Sequence, residues 1–153
     1  MKVIAICVFS ALLSGSALAL DVPKLECEPK ADAVGCFIDT AKLSHALCSM
    51  DVLIGILKVQ VEQAGGERPG NIYGGTACIS DYRTQIVPFY SAARTKLANK
   101  EAADAALKDA YAFWLSSMTG LVPKDETMSE YKARVRQAST GLEERLNRLE
   151  VEL

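Results

Sequence analysis

Residues 33–64 read "AVGCFIDTAKLSHALCSMDVLIGILKVQVEQA", and this stretch decides the fold because it contains two apolar stripes at helical spacing. Both stripes advance by three and four residues, as side chains on one face of an α-helix do. The first stripe is Val34, Ile38, Ala41, His45, Cys48, Val52 and Val59. The second stripe is Leu43, Leu47, Met50, Ile54, Leu57 and Val61. A helix that is apolar on two sides is expected to pack between neighbours.

The C-terminal part of this stretch, residues 51–63, has an alternative interpretation. Its sequence "DVLIGILKVQVEQ" contains Val and Ile in part-alternation, which is also typical of a β-strand. The three-and-four spacing continues through it, so a helix is favoured. Asp32 stands before the first apolar position and is a candidate N-cap for that helix.

A second helical pattern follows a glycine-rich stretch and contains a proline. Its apolar residues are Ile79, Tyr82, Ile86, Phe89, Tyr90, Ala93 and Leu97. Pro88 lies inside this pattern, and a proline in a helix interior removes a backbone donor and clashes with the preceding turn. We therefore expect a second helix that is kinked or split at Pro88, with its first part ending near Ile86.

A third helical pattern is expected to begin at Asn99 as its cap and to end at the stop signals Gly120 and Pro123. Its apolar stripe is Leu107, Tyr111, Trp114, Met118 and Leu121.

The fourth helical pattern begins with Thr127 and Glu130 in the spacing of a capping box. Its stripe is Met128, Tyr131, Val135, Ala138, Leu142, Leu146, Leu149 and Leu153. Because this stripe departs from strict heptad spacing, we expect it to pack against the chain's own helices rather than to form a dimer seam. The predicted fold is thus all-α, a disulfide-stapled antiparallel bundle of about four helices.

The first 19 residues have the organisation of a signal peptide. Lys2 is followed by an apolar run over residues 3–13, and Ala-Leu-Ala at residues 17–19 supplies the small residues that a signal peptidase reads. We expect cleavage after residue 19; the alternative is a retained N-terminal membrane helix. Residues 20–153 then form a single helical domain, and no other segment is expected to span a bilayer. The predicted location is the periplasm or the extracellular space, and a bacterial source is favoured.

The charge of the chain argues against two classes of partner. The chain has 17 Lys+Arg and 19 Asp+Glu, and loss of Lys2 with the leader makes the mature chain more acidic still. Nucleic acids and anionic membrane surfaces both require a basic patch on the protein that binds them. We therefore expect no nucleic acid partner, and no membrane binding after leader cleavage.

Four cysteines remain once Cys7 is removed with the leader: Cys27, Cys36, Cys48 and Cys78. In a small exported chain, four cysteines predict two disulfides. The alternative, a metal site, is disfavoured because the cysteine spacings are long and the chain has one histidine. No metal and no cofactor are expected.

Helix geometry limits how these cysteines pair. Cys36 and Cys48 are about 18 Å apart along a continuous helix, whereas a disulfide holds its Cα atoms within about 7 Å. That pairing is therefore excluded. The favoured set is Cys27–Cys36 with Cys48–Cys78, and the alternative is Cys27–Cys48 with Cys36–Cys78.

The stretch "GNIYGGTA" at residues 70–77 is close to a phosphate-binding loop, G-x-x-x-x-G-K-[ST]. Thr76 stands at the lysine position, and a helix rather than a buried strand is expected before the stretch. A phosphate site is therefore not predicted. Because Cys78 has to reach the middle of the first helix, the glycines are expected to let this segment turn back along that helix.

Candidate catalytic residues are few and spread along one helix. His45 is the single histidine and lies on an apolar stripe with Ser49 one turn away, so a satisfied core histidine is the favoured interpretation. A glycosidase-type pair of carboxylates would have to come from Asp39, Asp51 or Glu62, which are expected on a solvated face. We expect no catalytic residues, and an envelope hydrolase is the least favoured function.

The remaining features favour a protein that binds. Tyr73 in the glycine-rich stretch, Tyr90 and Trp114 are the candidate contacts with a partner or ligand. The predicted function is that of an exported, non-enzymatic protein that binds an envelope or secreted protein, as an inhibitor, an immunity protein or an envelope accessory protein does. A carrier of a small apolar ligand between helices is the alternative. The expected state is a monomer or a weak dimer.

Overall fold

The computed structural model describes residues 22–28, 31–65 and 75–153 of the 153-residue chain. Those residues form five α-helices and contain no β-strand. The helices are α1 (Ala33–Gln63), α2 (Gly75–Gln85), α3 (Val87–Lys96), α4 (Glu101–Gly120) and α5 (Met128–Val151). The prediction of helices alone is confirmed for this part of the chain, and the strand interpretation of residues 51–63 is wrong because α1 runs through them. The predicted signal peptide, and Tyr73 with most of the glycine-rich stretch, lie outside the described residues.

α1 begins at a side-chain cap. Asp32 has an extended backbone, and its Oδ1 accepts hydrogen bonds from the backbone N–H groups of Val34 (2.9 Å) and Gly35 (3.1 Å). These bonds satisfy donors that the first turn of a helix leaves free, so the predicted N-cap is confirmed. Just beyond the other end, Gly65 has a φ of 84°, a left-handed conformation that a residue without a side chain adopts readily and that stops the helix.

α2 and α3 are separated at Ile86. α3 begins at Val87, so Pro88 lies in its first turn, where a helix does not need the backbone N–H that proline lacks. Backbone hydrogen bonds from Ile86 N to Tyr82 O and from Tyr90 N to Ile86 O, both 3.0 Å, link the two helices end to end. Pro88, which has no backbone N–H, thus interrupts this ladder of bonds at a helix boundary rather than in a helix interior.

α4 and α5 begin differently. The N-cap of α4 is Lys100, without a side-chain cap bond, so the prediction that Asn99 caps this helix is wrong. The reason is a backbone turn from Leu97 O to Lys100 N (2.8 Å), which sets the start of the helix one residue later. α5 has the predicted capping box, because Glu130 N–H donates to Thr127 Oγ1 (3.3 Å) and Thr127 N–H donates to Glu130 Oε2 (2.8 Å).

α1 is the helix against which the others pack: it contacts α2, α3, α4 and α5, and α4 also lies along α5. The core is one cluster to which every helix contributes. Its largest fully buried side chains are Trp114, Tyr82, Phe37, Ile86, Leu97, Leu107, Met118, Leu121, Leu146 and Leu149. The segment before α1 joins this core through Leu25, whose side chain is buried and whose backbone N–H donates to Gln85 Oε1 (2.7 Å).

The two apolar stripes of α1 have different environments. The first stripe is buried from Val34 to Val52, and only its last member, Val59, is exposed. In the second stripe, Leu47 is partly buried and the other members are 45% to 59% exposed. Those exposed members are Leu43, Met50, Ile54, Leu57 and Val61. The prediction that α1 packs between neighbours on both sides is therefore wrong, because α2 to α5 pack against the first stripe.

Two disulfides tie the N-terminal half together. Cys27 is bonded to Cys36 and Cys48 is bonded to Cys78, with Cα–Cα distances of 5.6 and 5.7 Å. This is the favoured one of the two sets of pairs that helix geometry leaves open. The first bond holds the segment before α1 against the first turn of that helix, and the second holds the start of α2 against the middle of α1.

Removal of the Cys48–Cys78 bond is expected to lower the free energy of unfolding more than removal of the Cys27–Cys36 bond. The two bonds span 30 and 9 residues of sequence, and loop-closure entropy gives stabilisations of about 3.5 and about 2.5 kcal/mol. Urea unfolding of the double variants Cys48→Ser/Cys78→Ser and Cys27→Ser/Cys36→Ser, followed by circular dichroism, measures both losses. Equal losses, or a larger loss for the shorter loop, would contradict this order.

Candidate functional site

The three predicted contact residues have three different positions. Tyr73 lies outside the described residues, Tyr90 is half-buried on α3, and Trp114 on α4 is fully buried. The Trp114 indole N–H donates to Ala41 O and to Ser44 Oγ on α1, both at 3.1 Å. Trp114 is therefore a core residue whose polar group is satisfied internally, which corrects its interpretation as a contact for a partner protein.

An aromatic cluster connects Tyr90 to Trp114 through Tyr111. The rings of Tyr90 and Tyr111 stack with their centroids 3.9 Å apart, and those of Tyr111 and Trp114 are nearly parallel at 6.3 Å. Phe37 of α1 contacts Tyr90 at 6.0 Å and Tyr111 at 6.3 Å. Burial, with a smaller contribution from Tyr90, raises the pKa of Tyr111, so this hydroxyl stays protonated. The cluster joins α1, α3 and α4, and only its Tyr90–Tyr111 edge is partly exposed.

An open surface groove of about 420 Å³ lies beside Tyr90, between α3 and α4. Its charged groups are paired: Asp104 is 3.2 Å from Arg94 Nε and 2.5 Å from Lys108 Nζ. The hydrogen bond from Lys108, reinforced by that from Arg94, lowers the pKa of Asp104. A groove that is open to solvent, with its charges already bound to each other, offers little to hold a small ligand.

Another open groove, of about 630 Å³, lies between α4 and α5 beside Phe113. The Arg145 guanidinium lies 3.8 Å from the centre of the Phe113 ring and donates to Gly141 O at 2.9 Å. Gly141 makes this packing possible, since a Cβ there would lie 2.7 Å from Phe113 Cζ. Arg145 Nε is also 3.5 Å from Asp109. The groove contains none of the residues that the sequence marks as candidates.

The candidate catalytic residues are not brought together. Ser49 Oγ donates to a backbone carbonyl of α1 at 2.8 Å rather than to His45. Asp39, Asp51 and Glu62 follow each other along α1 with about 18 and about 17 Å of axial rise, whereas a glycosidase pair spans less than roughly 10 Å. The described residues contain no group of three or more His, Cys, Asp or Glu that could hold a metal ion.

His45 lies on the core side of α1, is 3% exposed, and has no hydrogen-bond partner for Nε2 among the described residues. Burial lowers the pKa of its imidazole from the ordinary value of 6.5, because a charge is unfavourable in this environment. The side chain is therefore neutral at neutral pH. His45 is a core residue, as expected, although its hydrogen bonding is incomplete.

Two buried polar atoms, one on α1 and one on α2, lie one helical turn from the Cys48–Cys78 bond. Asp51 Oδ2 on α1 and Tyr82 OH on α2 have no hydrogen-bond partner within the described part of the chain. Burial raises the pKa of Asp51 against the opposing effect of Lys58. Burial, followed by the charge of Asp51, raises the pKa of Tyr82 to about 12. No sequence signal marks these two residues, because Tyr82 belongs to an apolar stripe and Asp51 to a polar strip.

The exposed second stripe of α1 forms a continuous apolar surface, which we name the α1 face. Its members are Leu43, Leu47, Met50, Ile54, Leu57 and Val61. Five of these six side chains expose about half of their surface. Monomeric proteins rarely expose a continuous apolar patch unless it binds something. The α1 face is therefore the candidate functional site. The sequence shows the regular spacing of its residues, but it does not show that they are exposed.

α1 also has the length and composition of a membrane-spanning helix, which corrects the expectation that no segment after the leader has them. These properties are weak grounds by themselves, since the core helix of a water-soluble protein has them as well. Only 22% of the most apolar window of α1 is buried within the chain. The buried first stripe and the Cys48–Cys78 bond nevertheless hold α1 in contact with the other helices.

Comparisons with models of protein families, with curated proteins and with solved structures found no match to this chain. No relative or structural neighbour therefore suggests a substrate, a cofactor or a partner. Among the described residues, the α1 face is the most distinctive feature.

Replacement of Trp114 with Phe is expected to lower the free energy of unfolding by about 2 to 3 kcal/mol. The substitution takes an indole N–H away from two buried acceptors and leaves volume unfilled. Ser44→Ala, which keeps Ala41 O as an acceptor, is the matched control and should cost about 1 kcal/mol. Urea unfolding followed by circular dichroism measures both, and a loss for Trp114→Phe below that of the control would contradict the core role.

Stability is expected to fall as the pH is lowered below 6.5, the ordinary pKa of His45. Because burial lowers this pKa in the folded protein, the unfolded chain takes up the proton first and is stabilised by it. The loss begins near the unfolded-state pKa and is complete below the folded-state pKa. We expect His45→Gln to reduce the slope of unfolding free energy between about pH 7 and about pH 5. Identical slopes in the wild type and the variant would exclude His45 as the cause.

Proposed function

We propose that this chain is an exported, non-enzymatic helical protein that binds another protein through the α1 face. The exposure of that face is the observation that carries the proposal. The partner is an envelope or secreted protein, and the roles that fit are those of an inhibitor, an immunity protein or an envelope accessory protein.

The α1 face offers binding free energy without a rearrangement of the fold. Full burial of a Leu, Ile, Val or Met side chain contributes about 1.5 to 3 kcal/mol. About half of each of the five exposed side chains remains to be buried. The face therefore offers about 5 kcal/mol of apolar contact, from which the entropy cost of association has to be subtracted. A partner that presents apolar side chains of its own would suit this surface.

Covalent and packing constraints hold the α1 face in place. Cys48 lies within the same helical turns as the face but belongs to the first stripe, where it is bonded to Cys78. Trp114 donates to Ala41 and Ser44 near the start of the face. A helix that is fixed along one side presents its other side with little further ordering, and this favours affinity.

Two features support export. The disulfides fit an oxidising compartment, and the signal-peptide pattern of the first 19 residues provides the route. We therefore propose cleavage after residue 19 and a final location in the periplasm or the extracellular space. The excess of acidic residues is consistent with a protein partner rather than a nucleic acid.

The proposal includes an antiparallel arrangement of the helices with a kink at Pro88. α4 and α5 pack along each other and are joined by the short link 121–127, which favours antiparallel neighbours. The boundary between α2 and α3 at Ile86 is the position at which the kink would lie.

The non-enzymatic part of the proposal is supported by the roles of the titratable groups. Asp104 and Glu126 have lowered pKa values because each binds a cation, and Glu130 has a lowered pKa because it accepts from Thr127 in the cap of α5. These carboxylates act as structural groups. The alternative function, a carrier, has less support because the grooves beside Tyr90 and Phe113 are open to solvent.

Site-specific photo-crosslinking tests the proposal. A photoreactive phenylalanine analogue is placed at Met50 on the α1 face and, as a matched control, at Val151, which is 84% exposed on α5. Both chains are expressed in the source cell with the leader and irradiated in the intact envelope. We expect Met50 to give a discrete adduct with a polypeptide of different sequence, identified by mass spectrometry, and Val151 to give none. Equal adducts at both positions, or none at Met50, would count against binding through the α1 face.

A further inference from the structure

We propose that, before its partner binds, the α1 face is covered by the α1 face of a second copy of this chain in a parallel two-stranded coiled coil. This inference rests on the proposed role of the α1 face in protein binding. An apolar patch of this kind promotes unspecific association when it is left open in water. Pairing of two identical faces would give the chain a defined resting state.

The spacing of the α1 face matches a coiled-coil seam. Its six residues follow each other at intervals of four, three, four, three and four positions, an unbroken heptad pattern over residues 43–61. A helix with this regular repeat packs best against a helix that has the same repeat, because both seams then stay in contact as the helices supercoil. The α1 helix of a second copy meets this condition by identity.

The residue types of the face favour two parallel strands. The order of the intervals places Leu43, Met50 and Leu57 at d positions. It places Leu47, Ile54 and Val61 at a positions. β-branched residues at a, combined with leucine at d, favour parallel two-stranded coiled coils. Ile54 and Val61 meet the first condition, and Leu43 and Leu57 meet the second.

The charges beside the seam favour the same orientation. Asp51 and Lys58 occupy e positions, whereas the g positions hold the uncharged residues Ala46, Leu53 and Gln60. In a parallel pair, each e residue faces a g residue of the other helix, so no like charges meet. In the antiparallel pair that overlaps all six positions of the face, Asp51 would lie opposite the Asp51 of the second copy. The parallel pair avoids this repulsion.

Along residues 43–61, the rest of the chain leaves room for a second copy. Residues at f positions point away from a coiled-coil seam, and here they are His45, Val52 and Val59, all members of the first stripe. His45 and Val52 are buried against the other helices. Over these residues, the other helices of each copy lie on the outer side of α1. Towards the N-terminus, the same register places Cys36 at a d position and Thr40 at an a position, and both are buried within their own chain. The paired segment is therefore limited to residues 43–61, and the two α1 helices have to diverge before it.

The length of the seam limits the strength of the dimer. Residues 43–61 span about 27 Å along the helix axis. Two such helices bury on the order of 1,000 Å² when they pair, which is the lower limit of a specific interface. We therefore expect a reversible dimer with a dissociation constant in the micromolar range, which a partner with a larger apolar surface can displace.

Sedimentation equilibrium tests this inference on the disulfide-bonded chain, produced with its leader and purified from the periplasm of an expression host. We expect a monomer–dimer equilibrium for the wild type. The double variant Ile54→Glu/Leu57→Glu should raise the dissociation constant by at least about 100-fold. The matched control Val151→Glu, at an exposed valine of α5, should leave it unchanged.

Circular dichroism and the mass of the unreduced chain check that each variant folds with both disulfides. Met50→Gln is a milder variant that adds no charge, and it should weaken the dimer by about 10-fold. A wild-type chain that stays monomeric at about 100 µM would overturn the proposal. A double variant that folds and dimerises like the wild type would overturn it as well.

A photoreactive side chain at Leu57 determines the orientation of the two α1 helices and identifies any other occupant of the α1 face. A parallel pair gives cross-links to residues around position 57 of the second copy, whereas an antiparallel pair gives them around position 47 and overturns the orientation. A cross-link to residues 66–74 of the same chain, or binding of a monomer to phosphatidylcholine vesicles, would assign the face to another occupant. The adduct at Met50 in the envelope tests the proposed function separately, so either proposal can fail while the other holds.

Discussion

The packing of the other helices against one side of α1 is the constraint on which the rest of the structure depends. α1 is apolar on two sides, and its neighbours among the described helices all lie on the side of the first stripe. The Cys48–Cys78 bond fixes α2 on that side, and the Trp114 indole fixes α4 there through the α1 backbone. An apolar surface thus remains on the other side of α1, because α2 to α5 all pack against the first stripe.

Features that depend on neighbouring residues could be predicted from the sequence. The Asp32 cap and the Thr127–Glu130 capping box each involve residues within one turn of the helix. The rise of a helix excludes a bond between Cys36 and Cys48 and leaves two sets of disulfide pairs open, of which the structure has the favoured one. The cap of α4 could not be predicted, because the preceding backbone turn, rather than a side chain, sets its start.

Features that depend on distant parts of the chain could not be predicted. The two stripes of α1 have similar composition, and only the direction from which α2 to α5 approach decides which of them is buried. Trp114 and Tyr90 were candidate contacts because large aromatic side chains are common in binding sites. In the structure, Tyr111 connects their rings in a cluster between helices. The candidate site was therefore present in the sequence as a heptad spacing, while its exposure belongs to the tertiary structure.

The position of the disulfides also divides the chain into a part whose assembly needs an oxidant and a part whose assembly does not. All four bonded cysteines lie between residues 27 and 78, and α3, α4 and α5 contain none. The two bonds join segments that precede α3 in the chain, so their closure needs no residue of α3, α4 or α5. α4 and α5 are close in sequence, and contacts between such segments form rapidly and without an oxidant. A shortage of oxidant would therefore delay the first half of the molecule and leave the contact between α4 and α5 to form at its own rate.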